Sequence, residues 1–244
     1  MRSMKFSALS ILGYILAIGS AAAGADERFP CVPSHSGDAG GIMMMDHSYL
    51  VRRELGQNRF DIPYGYLTVR PPPSRVNCFA KRSNISFAFW MPDLRAPEKD
   101  MWSQYDFRLQ EPDRQTPGPD EFIVMVSFLA PEHQYTPAIG FKNLIDGWKK
   151  PYQIELRHGL LHILPGENPL AFDMYADLSQ ENGQLLLDCD GPDSDVPNPL
   201  CAGDLYFSDL ELEASLQFPA DALPKWREIR DGVRTLLDQW AVQD

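Results

Sequence analysis

The stretch Asp209–Phe218, DLELEASLQF, alternates without a fault. Leu210, Leu212, Ala214, Leu216 and Phe218 fall on one side; Asp209, Glu211, Glu213, Ser215 and Gln217 fall on the other. A period of two marks a β-strand with one buried and one wet face, because successive side chains point to opposite sides of a sheet. Pro219 ends the run. Behind it Leu223, Trp226, Ile229, Val233, Leu236, Leu237 and Trp240 recur at helical spacing, with Asp221 placed to cap the helix and Pro224 tolerated in its first turn. The apolar face of the sheet is the natural partner for that stripe. The expected fold is α+β: an antiparallel β-sheet with helices packed on one face, including a C-terminal amphipathic helix, and water on the other face.

Other segments fit this plan. Residues 84–91 alternate Ile85, Phe87, Phe89 and Met91 against Ser86, Ala88 and Trp90, and Phe122–Leu129 is a continuous apolar run of the kind central strands show. A short helix is expected over 137–148. Tyr152, Ile154 and Leu156 form one face of a further strand. Phe172, Met174 and Ala176 form another, which turns Asp173 and Asp177 outward, and Glu181-Asn182-Gly183-Gln184 supplies a hairpin turn. Residues 1–25 carry Arg2 and Lys5, an apolar stretch from Phe6 to Ile18, and Ala23-Gly24-Ala25 as a cleavage site, which together read as a signal peptide. The expected organisation is a signal peptide (1–25), an extended N-terminal lead (26–58) and a single α+β domain (59–244). The shared outline of FAFWMPDL and SLQFPADAL hints at two related halves.

An exported chain with four cysteines is expected to hold two disulfides, for which three connectivities exist. Cys189 and Cys201 bracket a short Gly- and Pro-rich loop and are paired on that ground, leaving Cys31 with Cys78. No later segment is long and apolar enough to span a bilayer, so a periplasmic protein without membrane insertion is expected.

Charge is distributed unevenly. The whole chain has a formal net charge of −12, and residues 158–224 hold thirteen carboxylates and neither lysine nor arginine. Strands lie roughly 5 Å apart, so like charges on one face repel and weaken the fold. Such a surface suits a partner with a basic patch and disfavours nucleic acid. Asp188, Asp190, Asp193 and Asp195 in the Cys189–Cys201 loop, together with Asp209, Glu211 and Glu213, are the candidate partner-binding carboxylates. Tyr206 and Phe207 are the candidate apolar anchors beside them.

Catalytic patterns are missing from the sequence: there is no G-x-S-x-G, S-x-x-K or H-E-x-x-H, and no Gly-rich phosphate loop. No enzyme and no cofactor is expected. His158 and His162 lie in a strand-like segment, where a hydrogen-bonded core histidine is a better reading than a metal ligand. Two alternatives remain: a carbohydrate hydrolase built on a carboxylate pair, and a calcium-dependent binding module using DCDGPDSD, whose glycine falls at the wrong position for an EF-hand. Trp90, Trp102 and Tyr105 could stack on a sugar in the former, but core packing is the commoner fate of such residues.

The early FDIPYGYL, the loop CDGPDSDVPNPLC and the terminal FPADALPKWREIRDGVRTLLDQW resemble periplasmic immunity proteins encoded beside type VI secretion effectors, in particular those guarding against phospholipase or other cell-envelope toxins. The resemblance implies a non-enzymatic protein that binds its cognate toxin and occludes the active site.

Overall fold

The structure, a computed structural model, describes residues 45–98, 120–129, 136–147, 153–164, 173–179, 183–191 and 198–242. The expected signal peptide, Cys31, Trp102, Tyr105, Asp193 and Asp195 lie outside these residues. Strands β1 (Leu50–Leu55) and β2 (Asn58–Pro63) pair as an antiparallel hairpin. The boundary expected at 58/59 therefore falls inside a hairpin. The sequence conceals β1 because an arginine holds an inward position: Arg53 is buried between Val51 and Leu55, and its guanidinium donates to the carbonyls of Arg52 and Val76.

The main body is an antiparallel sheet of eight strands: β3 (Asn84–Met91), β4 (Phe122–Leu129), β5 (Gln153–Arg157), β6 (Leu160–Leu164), β7 (Asp173–Asp177), β8 (Gln184–Cys189), β9 (Leu200–Phe207) and β10 (Leu212–Pro219). Their spatial order is β3-β4-β10-β9-β8-β7-β6-β5. The last six strands form a meander, and the β3–β4 hairpin is added beside β10. Helix α1 (Pro137–Gly147) follows β4. A 3₁₀ segment (Ala220–Lys225) and helix α2 (Trp226–Trp240) close the chain. The α+β class is as expected. Asp221 lies in the first turn of the 3₁₀ segment, whose N-cap is Pro219 and has no side-chain cap.

Cross-strand register assigns every strand residue to a face. Leu212, Ala214, Leu216 and Phe218 of β10 share a face with Phe122, Val124, Val126 and Phe128 of β4 and with Ile85, Phe87, Phe89 and Met91 of β3. The α2 stripe closes over this face, and all seven expected residues, Leu223 to Trp240, are buried. Each large apolar side chain so covered contributes roughly 1.5–3 kcal/mol of transfer free energy. Trp240 lies edge-on to Phe87 (5.0 Å) and Tyr66 (4.9 Å), and the chain then continues onto the hairpin, where Val242 N–H donates to the Arg59 carbonyl.

Three expectations are corrected. The alternation of Asp209–Phe218 is not one strand: β10 begins at Leu212, and Ser208–Glu211 form the β9–β10 turn, with Glu211 at φ 52°. No glycine, proline or asparagine punctuates this turn, so the period of two runs straight through it. Asp173 and Asp177 do not face outward. They share the helix side with Tyr175, near the N-terminal end of α2, where Arg230 lies 3.6 Å from Asp177 and His162 lies 3.4 Å from Asp173. Trp90 takes the core fate expected of most such residues: it is 1% exposed and packs with Ala88 and Ile123 in a second small cluster on the other face. That other face is not left to water, the arrangement expected, but takes a helix of its own: α1 docks there at β8 and β9, Ala138 N–H donating to Gln184 Oε1 (3.3 Å). No helix among the described residues is long and apolar enough to cross a membrane.

Candidate functional site

The face of the sheet turned away from α2 combines several candidate residues, and α1 covers part of it at β8 and β9, where Gln184 and Leu186 are buried. Pairing places Glu213 opposite Tyr206, Ser215 opposite Asp204, and Gln217 opposite Ala202; on β8, Gln184 lies opposite Tyr206, Leu186 opposite Asp204 and Asp188 opposite Ala202. The face continues through Ser127 and Met125 of β4 to Ser86 of β3, whose hydroxyl is 2.7 Å from that of Ser127. None of the residues that the described strands turn to this face is lysine or arginine. A cavity of about 230 Å³ lies on it, lined by Val69, Ser86, Met125, Ser127, Ser215 and Gln217 among others.

The carboxylates on this face are poorly accommodated. Burial pushes the Asp188 carboxyl up to about 6, with the Asp190 and Asp173 charges adding to the effect. Its Oδ1 is buried without a hydrogen-bond partner among the described residues. Burial also raises Asp204, and Glu213 is raised by burial and then by Asp204. A buried anion without a nearby cation costs stability, and a cation supplied from outside removes that cost.

This predicts an unusual pH dependence. A carboxyl with a folded-state pKa above its unfolded value binds its proton more tightly when folded, so stability falls as pH rises from the ordinary aspartate range towards 6. Thermal unfolding is expected to show a higher midpoint at pH 5 than at pH 7. Asp188→Asn should raise the midpoint at pH 7 and flatten the profile between these values. An unchanged profile in the variant would remove Asp188 as the source.

The disulfide Cys189–Cys201 joins directly opposed residues of β8 and β9, with Cα atoms 4.0 Å apart. Just beyond it, Asp190 is tied by its backbone N–H to the Leu200 carbonyl and by its Oδ2 to the Leu200 N–H, both at 2.9 Å. Cys78 is not free, and its expected partner Cys31 is outside the described residues.

The sequence candidates thus separate. Asp188, Asp190, Tyr206 and Glu213 come together on the face or at its disulfide end. Phe207 does not join them: it is 3% exposed on the helix side, its ring 6.4 Å from that of Phe128. Asp209 is held in the turn by Arg234 of α2 through two bonds of 2.7–2.8 Å, a guanidinium it shares with Asp238. Glu211 is exposed in the same turn rather than on the sheet. Asp204, at the centre of the face, is absent from the sequence candidates. Its signal is present in the sequence, because Ala202, Asp204 and Tyr206 alternate with Cys201, Gly203, Leu205 and Phe207.

His162 is buried, with Nδ1 3.1 Å from Glu155 Oε1 and its ring stacked on Tyr175 at 4.4 Å. His158 is exposed in the β5–β6 turn. Among the described residues no three His, Cys, Asp or Glu side chains gather as a metal site.

No family model matches the chain, and no curated protein matches it. The fold is similar to the solved structure of Smlt3025, an immunity protein of the Stenotrophomonas maltophilia type IV secretion system. The TM-score is 0.55 and the identity 13%, covering 80% of this chain and 94% of that one.

Proposed function

We propose that this chain is an immunity protein that neutralises a secreted antibacterial toxin by binding it, with the β8–β9–β10 face set against a basic patch of the toxin. One observation carries the reading: Asp188, Asp204 and Glu213 sit half-buried on a face whose strands offer no lysine or arginine. The fold costs itself stability by keeping them charged, and a docked cationic loop would relieve all three together. Tyr206, half-buried between Gln184 and Glu213, supplies an apolar body and a polar tip of the kind that anchors interfaces. The likeness in fold to an immunity protein supports the same reading.

The toxin is proposed to act in the periplasm on the cell envelope, a phospholipase being the leading class, and the bound face would occlude its active site. The sequence resemblance points to type VI effectors, while the structural neighbour belongs to a type IV system, so a test must include effectors of both.

The experiment is a rescue assay in a sensitive bacterium expressing periplasm-directed envelope toxins, with and without residues 1–25 of this chain. Rescue by the exported form alone is expected. Against the toxin that co-purifies, the triple variant D188N/D204N/E213Q is expected to associate at least tenfold more slowly at low salt, with a flatter salt dependence. The substitutions relieve repulsion and leave the fold at least as stable, so lost binding would not reflect unfolding. An association rate equal to that of the native chain would move the interface to another surface.

A further inference from the structure

β5 ends the large sheet among the described residues, and all five of its side chains are exposed. An open strand edge is a template for another strand, which lysine and other charges, proline, a bulge or a short strand normally blunt. β5 reads QIELR: it is short and has no lysine or proline, and its two charges, Glu155 and Arg157, are of opposite sign, so they can pair across a strand edge as well as repel. It also carries two exposed aliphatic residues on one face, Leu156 at 77% and Ile154 at 46%.

The backbone direction follows from the adjoining turn. His158 (φ 54°) and Gly159 (φ 75°) connect β5 to β6 between the paired residues Arg157 and Leu160, a two-residue hairpin of the I′ kind. Residues flanking such a turn bond to each other, and bonding pairs then recur at every second position. Arg157, Glu155 and Gln153 therefore direct their N–H and C=O groups towards β6. Leu156 and Ile154 direct theirs away from the sheet.

We propose that β5 pairs antiparallel with β5 of a second copy of this chain about a two-fold axis at Leu156, joining two sheets edge to edge. Charge fixes the register. Centring the pair on Glu155 would set two carboxylates against each other, which is destabilising on adjacent strands. Centring it on Leu156 sets Glu155 opposite Arg157 of the second copy, and the two-fold axis makes that pair twice. Glu155 is already oriented by buried His162, and Arg157 lies beside Tyr175. On the other face, Leu156 meets its own copy with Ile154 on the diagonal, covering both exposed aliphatic side chains. This pairing uses no residue of the proposed toxin-binding face, so neither reading stands or falls with the other.

The test is sedimentation and light scattering of the full chain over a concentration series. The native protein is expected to approach twice the single-chain mass. Glu155→Arg or Arg157→Glu alone places like charges opposite each other and should leave a monomer at the same concentrations. Mixed in equal amounts, the two single variants should form a heterodimer. The E155R strand then carries arginine at both positions and the R157E strand glutamate at both, so opposite charges meet twice across the pair. The double variant E155R/R157E should regain the homodimer. Misfolded variants could not recover on mixing, so the mixture separates lost pairing from lost structure. A native chain that stays monomeric throughout, single variants that dimerise like the native chain, or a mixture that remains monomeric would each overturn the proposal.

Discussion

Replacing Gly203 by alanine is expected to destabilise the fold by about 3 kcal/mol or more, the upper part of the range for overpacking. Gly203 sits in the middle of β9, between Leu187 of β8 and Leu216 of β10. A methyl group there would meet the Leu186 carbonyl oxygen at 2.0 Å and the Leu187 Cα at 2.8 Å. Both are backbone atoms of a central strand, and neither can swing aside. Relief requires β8 and β9 to part, which breaks ladder bonds beside the disulfide and disturbs both faces at once. Gly232→Ala is the control. Its methyl would meet Leu94 Cδ2 at 2.8 Å, the end of a half-buried side chain that can rotate away, and alanine is the better helix former. Urea denaturation of the two variants should therefore separate them widely. A Gly203→Ala protein within about 1 kcal/mol of native would show that the sheet gives more readily than its register implies.

Trp226→Ala is expected to cost about 3–5 kcal/mol, the usual range for truncating a fully buried tryptophan. Trp226 opens α2, is 1% exposed, and donates its indole N–H to the His158 carbonyl at 3.0 Å. It thus fastens the start of the helix to the β5–β6 turn, while Trp240 fastens the other end against Phe87. Arg227 and Arg230 hold guanidinium groups 4.4 and 5.1 Å from its ring centre, and the alanine variant loses those contacts too. Trp226→Phe keeps most of the buried surface and forfeits one hydrogen bond, for about 1 kcal/mol. The expected order in urea denaturation is native, Trp226→Phe, Trp226→Ala. Equal losses for both variants would make the indole hydrogen bond, rather than burial, the dominant contribution.

Local periodicity made much of this architecture legible. β3, β4 and the α2 stripe were readable because each is long, strongly patterned and ended by proline or a loop. The class followed from one half-wet strand and one helix that needed each other. β1 was lost to a buried arginine whose bonds to two carbonyls only the fold reveals. β9 carries a clear alternation that passes through Gly203, a residue that argues against strand until the close approach of β8 explains it. For the candidate site, the charge imbalance was visible but the face assignments were not. Asp173 and Asp188 stand in neighbouring strands, and register alone puts them on opposite sides. Phe207 failed as an anchor for the same reason, since one position along the chain reverses the side on which a residue emerges.

The seam between β4 and β10 carries a cost in time. Strands β5 to β10 each pair with a sequence neighbour and close short loops, but β4 (Phe122–Leu129) must wait for β10 (Leu212–Pro219), which arrives near the end of the chain. Pairings between distant segments are slow, because loop closure must be met before any contact rewards it. In that interval FIVMVSFL is an apolar, uncharged, proline-free segment with one edge open, the composition that favours intermolecular association. The hazard belongs to biogenesis rather than to the finished molecule: it lasts from the emergence of β4 until the C-terminal quarter has been delivered and folded.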